Sequence, residues 1–203
     1  GGDFYDFIPL DADNYGLVIA DVSGKGVPAA LFMALSRTLI RASAHSIDDP
    51  VSSLREANTH LVEDSKTSMF VTLFYAVLDR RARTLTYVNA GHNPPIHIGA
   101  GSGKVTLLAA EGIALGVLDE ITLESVKIPL KSGDLIVLYT DGVTEAVNAL
   151  DEEYGVERLT ACVEKNSSET AKEIIDAIVA DVTGFAGERP QYDDITIMVL
   201  KVR

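Results

Sequence analysis

The chain has 203 residues, 47% of them hydrophobic, and 30 Asp and Glu against 17 Lys and Arg, for a net charge of −13. That length supports one large core or at most two small ones. The acidic balance argues against a nucleic-acid binder, whose affinity comes from Lys and Arg neutralising phosphates, and no apolar run is long enough to span a bilayer.

The chain opens mid-pattern at Gly1 with "GGDFYDFIPL", without a methionine or a signal-peptide pattern. It is therefore expected to be a piece of a longer protein, with an upstream sensor or regulatory domain as a partner. Strands are expected over 3–10 and 15–21. After the second, a Gly-Lys-Gly turn leads into a helix with Pro28 in its first turn and Arg37 and Arg41 on one later face. Asp49 and Pro50 open another helix, with Val51, Leu54, Asn58, Leu61 and Val62 on one side.

Strands follow at 69–79, 84–90, 95–98, 104–109, 123–130 and 134–140. "MFVTLFYAVLD" and "LIVLYTD" are apolar on both faces, as in strands packed between two layers. A short helix is expected at 155–165. A longer one starts near "NSSE", with a stripe of Ala171, Ile174, Ile175, Ile178, Val179 and Val182. A last strand covers 194–202. The lone Cys162 has no partner for a disulfide or a thiolate zinc site and suits a reducing cytoplasm. With no internal repeat and no linker-like stretch, the expected fold is a single α+β domain, most simply a β-sandwich flanked by helices.

The candidate chemistry lies in "LVIADVSGKGVPAALFMA", residues 17–34, where an apolar strand runs into Asp21. A carboxylate at the mouth of a core strand loses solvation unless something compensates it. Asp21 is badly placed as a helix cap, because the helix begins about Val27 or Pro28; a plain turn residue is the bland reading of any single Asp-x-x-Gly. The pattern recurs, however. "DLIVLYTDGVTEA" runs into Asp141, "PQYDDITIMVL" places Asp193 and Asp194 before a strand, and "GGDFYD" puts Asp3 and Asp6 at the first. Carboxylates converging without His or Cys ligands point to a hard cation, Mg²⁺ or Mn²⁺. Two such ions about 3.5–4 Å apart hold a hydroxide and orient a phosphate for in-line attack.

Other features take bland readings. "SGKG" lacks the full Walker A pattern. "GGDFYD" is similar to the GGDEF signature of diguanylate cyclases but opens the chain rather than sitting on a mid-domain hairpin. His92 in "AGHNPP" reads as a hydrogen-bonded turn residue, Arg37 and Arg41 as a solvated helix face, and Tyr139 as core.

Six segments in order, "GGDFYD", "VIADVSGKGVPAALFMA", "MFVTLFYAVLD", "YVNAGHNPP", "GDLIVLYTDGVTEA" and "DDITIMVL", resemble the bacterial SpoIIE/RsbU-type serine/threonine phosphatases. These form the prokaryotic branch of the metal-dependent phosphatases related to type 2C, and the resemblance covers essentially the whole chain. It implies a four-layer α-β-β-α sandwich with a dinuclear metal site at one end. Asp21 resembles the carboxylate bridging both ions, and the Val22 carbonyl would bind one of them. Asp141 and Asp193 resemble ligands of the other ion, and Asp3 the acidic residue of the first motif, acting directly or through water.

Two features depart from the wider class. Ser23, Gly24 and Lys25 stand where a histidine usually follows the bridging aspartate, and no phosphate-clamping arginine is found. The resemblance implies hydrolysis of phosphoserine or phosphothreonine with two Mn²⁺ or Mg²⁺ ions and no phosphoenzyme. The implied substrate is a phosphorylated STAS-domain anti-anti-sigma factor in a partner-switching pathway. The alternatives are a catalytically silent binding module of the same fold and a metal-dependent hydrolase of small phosphoesters.

Overall fold

Every second residue of β1 (Phe4–Pro9) is buried, as period-two alternation requires of a strand with one face on a core. The structure, a computed structural model, describes residues 1–64, 69–101 and 103–203. It divides into two compact units, residues 1–92 with 109–130 and residues 93–108 with 131–203.

The first unit is built on a five-stranded antiparallel sheet. Its order is β1, β2 (Asn14–Val22), β3 (Val71–Asp79), β4 (Thr84–Ala90) and β7 (Ser125–Pro129), numbered in chain order. The central strands read as unbroken apolar runs, and Leu17 to Ala20 are all essentially inaccessible. Helices α1 (Val27–Ser46) and α2 (Pro50–Asp64) belong to the same core: Phe32, Ile40, Leu54 and Leu61 join Ile8, Val18, Leu73 and Tyr75. As the sequence requires, α1 begins without a side-chain cap, at Gly26 with φ 78°, and Pro28 lies in its first turn. Asp49 accepts from the Ser52 amide at 2.8 Å and the Ser52 hydroxyl at 2.6 Å, opening α2. Those bonds, the hydroxyl first, lower the Asp49 carboxylate pKa. Buried Asn58 is satisfied by the Leu118 carbonyl at 2.9 Å and the Gly116 amide at 2.9 Å.

Two sequence readings are corrected in this unit. Asp6 does not stand at the strand mouth with Asp3; it lies within β1 with its side chain turned into the unit, 7% exposed. Arg37 and Arg41 are not a purely solvated face, because both reach it. The Arg41 guanidinium donates to both carboxylate oxygens at 2.8 Å, and Arg37 lies 3.2 Å away. The i, i+4 pair thus fastens α1 to the edge strand while its guanidinium groups stay partly solvated.

The second unit carries a four-stranded antiparallel sheet of order β6 (Val105–Leu107), β5 (Ile96–Ile98), β8 (Leu135–Tyr139), β9 (Ile197–Lys201). All five residues of β8 are buried. Against the sheet pack α4 (Gly155–Lys165) and α5 (Ala171–Ala186), through Leu159, Val163, Ile174, Ile178 and Val182. Thr170 and Glu173 form a capping box at the start of α5. The α5 stripe is narrower than its sequence suggests, since Val179 is 42% exposed. The Lys201 ammonium gathers the carbonyls of Ser167, Ser168 and Glu169 before α5. Among the described residues, no helix is long and apolar enough to cross a membrane.

Candidate active site

In the first unit, the carboxylates are placed by strand register. Phe4 of β1 lies opposite Ala20 of β2, so one step further sets Asp3 opposite Asp21. Asp21 is the penultimate residue of β2 and faces Thr72 of β3. Gly2 packs so closely here that a Cβ would lie 2.6 Å from the Val22 carbonyl oxygen and 3.3 Å from an Asp21 carboxylate oxygen. Only glycine lets the chain pass against that carbonyl. Beyond it, the Ser23 amide donates to the Phe70 carbonyl at 2.9 Å, and the Ser23 hydroxyl accepts from the Phe70 amide at 2.9 Å. Gly24 then takes φ 88° with no atom within 4 Å of its missing Cβ.

A polar chain lies behind Asp21. The Thr72 hydroxyl is 3.4 Å from the Asp21 carbonyl oxygen and 3.1 Å from His92 Nδ1. The Asn89 side chain brackets His92, accepting from its amide at 2.7 Å and donating to its carbonyl at 2.9 Å. His92 is thus the hydrogen-bonded turn residue its motif suggests, and it is braced toward Asp21.

In the second unit, the carboxylates stand just beyond the β8–β9 ladder, whose last pair is Tyr139 and Ile197. Tyr139 is buried in the core as expected, and burial pushes its phenol up to about 12, so it stays neutral. Next to it, the Thr140 amide donates to the Thr196 carbonyl at 3.1 Å, and the Thr140 hydroxyl accepts from the Thr196 amide at 3.0 Å. Asp141 opens a four-residue helix, α3 (Asp141–Thr144), that periodicity does not reveal. A Cβ on Gly142 would lie 2.0 Å from the Asp194 carbonyl oxygen, so the Asp141 and Asp193 segments touch through bare backbone. The Asp194 amide donates to an Asp193 carboxylate oxygen at 2.9 Å, and Gln191 donates to the Asp193 carbonyl at 2.8 Å. Partial burial, followed by the charges of Asp141, Glu153 and Asp193, raises the Glu145 carboxyl pKa.

Asp3 is therefore brought to Asp21 and the Val22 carbonyl in one unit, and Asp141 to Asp193 in the other. Thr140, Thr72 and Asn89 shape these places but carry no sequence signal by themselves. Gly142 was visible as the glycine after an aspartate. Among the described residues, no group of three or more His, Cys, Asp or Glu side chains forms a metal-holding cluster. The donors in both places are all oxygen, which fits a hard divalent cation and no softer metal.

Two antiparallel sheets, each with its own helices, make the α+β fold of the PP2C-like phosphatases. The chain superposes on the PP2C domain of SiaA from Pseudomonas aeruginosa with a TM-score of 0.89 at 26% identity, covering all of this chain and 81% of that one. Residues 11–203 match the family model described as Stage II sporulation protein E (SpoIIE), and the chain belongs to that family. It is 30% identical over 202 residues to the phosphoserine phosphatase RsbU of Bacillus subtilis, covering 98% of this chain and 59% of RsbU. It is 32% identical over 226 residues to protein IcfG of Synechocystis sp., covering 98% of this chain and 35% of IcfG. The chain thus spans about three fifths of the length of RsbU and about a third of that of IcfG.

Proposed function

We propose that this chain is a protein serine/threonine phosphatase domain that removes phosphate from phosphoserine or phosphothreonine with the help of two Mn²⁺ or Mg²⁺ ions. The observation that carries the reading is the placement, in a SpoIIE-family chain, of paired aspartates and a backbone carbonyl with oxygen donors only. In this reading Asp21, which resembles the bridging carboxylate, and the Val22 carbonyl would hold metal in the first unit, with Asp3 acting directly or through water, and Asp141 and Asp193 would hold metal in the second. When bound, the ions supply an activated water and neutralise charge on the phosphoryl group.

The chain's own residues do the positioning. Pairing with Thr72 of β3 fixes Asp21, the β1–β2 ladder ends one residue short of Asp3, and Gly2 passes close against the Val22 carbonyl. Thr140 and Gly142 hold Asp141 against the Asp193 segment. No covalent phosphoenzyme is part of this reading, because the aspartates would be occupied in holding the ions and the attacking group would be water.

We infer a phosphorylated protein as the substrate and, more specifically, a STAS-domain anti-anti-sigma factor. The similarity to RsbU supports the first step, and the resemblance of the six motifs supports the second. The test is turnover of such a phosphoprotein after exhaustive dialysis against EDTA. Activity should vanish and return with excess Mn²⁺ or Mg²⁺; full activity in EDTA overturns the two-ion reading. A kcat/KM on p-nitrophenyl phosphate equal to that on the phosphoprotein would point to a small-phosphoester hydrolase instead.

A further inference from the structure

A cavity of about 250 Å³ opens in the second unit beside the Asp141–Asp193 pair. We propose that it seats one apolar side chain of the protein substrate, close in sequence to the phosphorylated residue, and so sets a sequence preference. This rests on the phosphatase reading above.

Continuity comes first. Gly142 and Asp193 line the cavity as well as belonging to the carboxylate segments. The backbone that sets Asp141 against Asp193 is therefore also a wall of the pocket. A side chain lodged there lies within a few residues of any group those carboxylates act on.

Size and lining then select the occupant. The inner wall is aliphatic, from Val182 and Ala186 of α5, Val147 after α3, and Ile195 before β9. A closed apolar cavity of about 150 Å³ is enough to bind benzene, and cofactor or drug sites begin at about 300 Å³. The volume here suits one Leu, Met or Phe side chain and is too small for a nucleotide. At the lip stand Glu145 and Tyr192, the latter 83% exposed. An aromatic ring held in water beside an apolar hole gives an incoming side chain a flank to cover. Arg189 lines the cavity with Glu145 and Asp193 and pairs with Asp151, so the charge around it is mixed; what disfavours an acidic occupant is the cost of burying its charge against an aliphatic wall. The order expected at the pocket position is Leu, Met or Phe above Ala, and Ala above Asp.

The experiment uses phosphoserine peptides in which each flanking position in turn is Leu, Ala or Asp, assayed with Mn²⁺. At one position, Leu should exceed Ala by about 10- to 100-fold in kcat/KM, the range one buried aliphatic group gives in a hydrophobic pocket. Ala186→Phe fills the cavity from within, and Thr183→Phe fills it from an exposed position on the same helix, where folding is little at risk. In either variant the Leu-to-Ala ratio should fall toward one, with the far-UV circular dichroism unchanged. Equal kcat/KM for Leu and Ala at every position overturns the pocket while leaving the phosphatase reading standing. A preference that survives both fillings likewise overturns it. No hydrolysis of any peptide or of p-nitrophenyl phosphate with Mn²⁺ present overturns both.

Discussion

The two units place their carboxylates by different means. In the first, Asp21 lies inside β2, paired with Thr72 of β3, and Asp3 stands one residue beyond the β1–β2 ladder, which ends at Phe4 and Ala20. In the second, Asp141 stands just past the end of β8 and Asp193 just before β9. Past the last β8–β9 pair, their segments are held by the two Thr140–Thr196 hydrogen bonds and by the close approach that the missing Cβ of Gly142 allows. A ladder tolerates the loss of one contact because its neighbours keep the register. A backbone-to-backbone contact at a single glycine does not, since any side chain there must displace one of the segments. The first place has such a contact too, at Gly2, but Asp21 itself sits inside a paired strand, whereas Asp141 and Asp193 both stand outside one; the second place should therefore be the more sensitive to its scaffold.

The largest effect expected is loss of a ligand. Asp21→Asn and Asp141→Asn should each cost several orders of magnitude in turnover of a phosphoserine peptide while the far-UV spectrum and unfolding midpoint stay near the parent's. If each aspartate holds an ion, metal titration should also show weakened binding in both. Near-normal turnover by Asp21→Asn would remove it from the bridging role and leave the comparison without its first member.

Scaffold substitutions come next and sharpen the contrast. Gly142→Ala drives a methyl to 2.0 Å from the Asp194 carbonyl oxygen, a backbone atom with little room to retreat. Overpacking of this kind costs about 1–3 kcal/mol, and separation of Asp141 from Asp193 should lower turnover at least about 10-fold. Gly24→Ala meets no atom within 4 Å and pays only for its left-handed backbone, φ 88°, which is worth about 1–2 kcal/mol. Urea unfolding and turnover, measured together, separate the cases: Gly142→Ala should lose more activity than its stability loss explains. Equal activity losses would make the contrast between ladder and contact false.

Away from both places, Asp134 offers a smaller effect with a definite sign. Its own burial raises its pKa, but the amides of Ala100 at 2.7 Å and Lys131 at 2.9 Å, with His97 at 3.3 Å, outweigh burial, and the net shift is downward. A carboxylate whose folded pKa lies below its unfolded value of 3.8 adds stability at pH above 3.8. That stability is lost as pH falls from there through the depressed folded value. Asp134→Asn should therefore be less stable than the parent at pH 7, with the gap narrowing as the pH drops below about 4. A gap in urea midpoints that does not change between neutral and acid pH would contradict the assignment.

Much of this architecture is legible in the sequence because it is local. The five-residue run of β8, the Ala171–Val182 stripe and the Gly-Lys-Gly turn each announce themselves within a few residues. The Asp-Gly and Asp-Asp signals at strand ends mark the carboxylates for the same reason. What stayed hidden depends on chain segments far apart meeting. The spacing of Arg37 and Arg41 shows a shared helix face, but nothing nearby says that Asp6, 35 residues before Arg41, is their partner. Helix α3 has four residues, too few to show a period. Gly142 reads as a turn glycine until the Asp194 carbonyl is seen lying against it.

The smallest effect is expected at Asp119, and it tests whether place rather than charge governs the whole comparison. Its carbonyl, not its carboxylate, is what buried Asn58 uses: Asn58 donates to the Leu118 carbonyl at 2.9 Å and to the Asp119 carbonyl at 3.2 Å. Asp119→Asn keeps those backbone bonds and changes the net charge by one, as Asp21→Asn and Asp141→Asn do. A surface substitution that leaves such features intact falls within about 0.5 kcal/mol, so the unfolding midpoint should barely move and turnover should stay near the parent's. If Asp119→Asn slowed turnover as much as the ligand substitutions, their losses would have to be read as a general response to reduced negative charge. The strand register at Asp21 and the glycine contact at Asp141 would then explain nothing about activity.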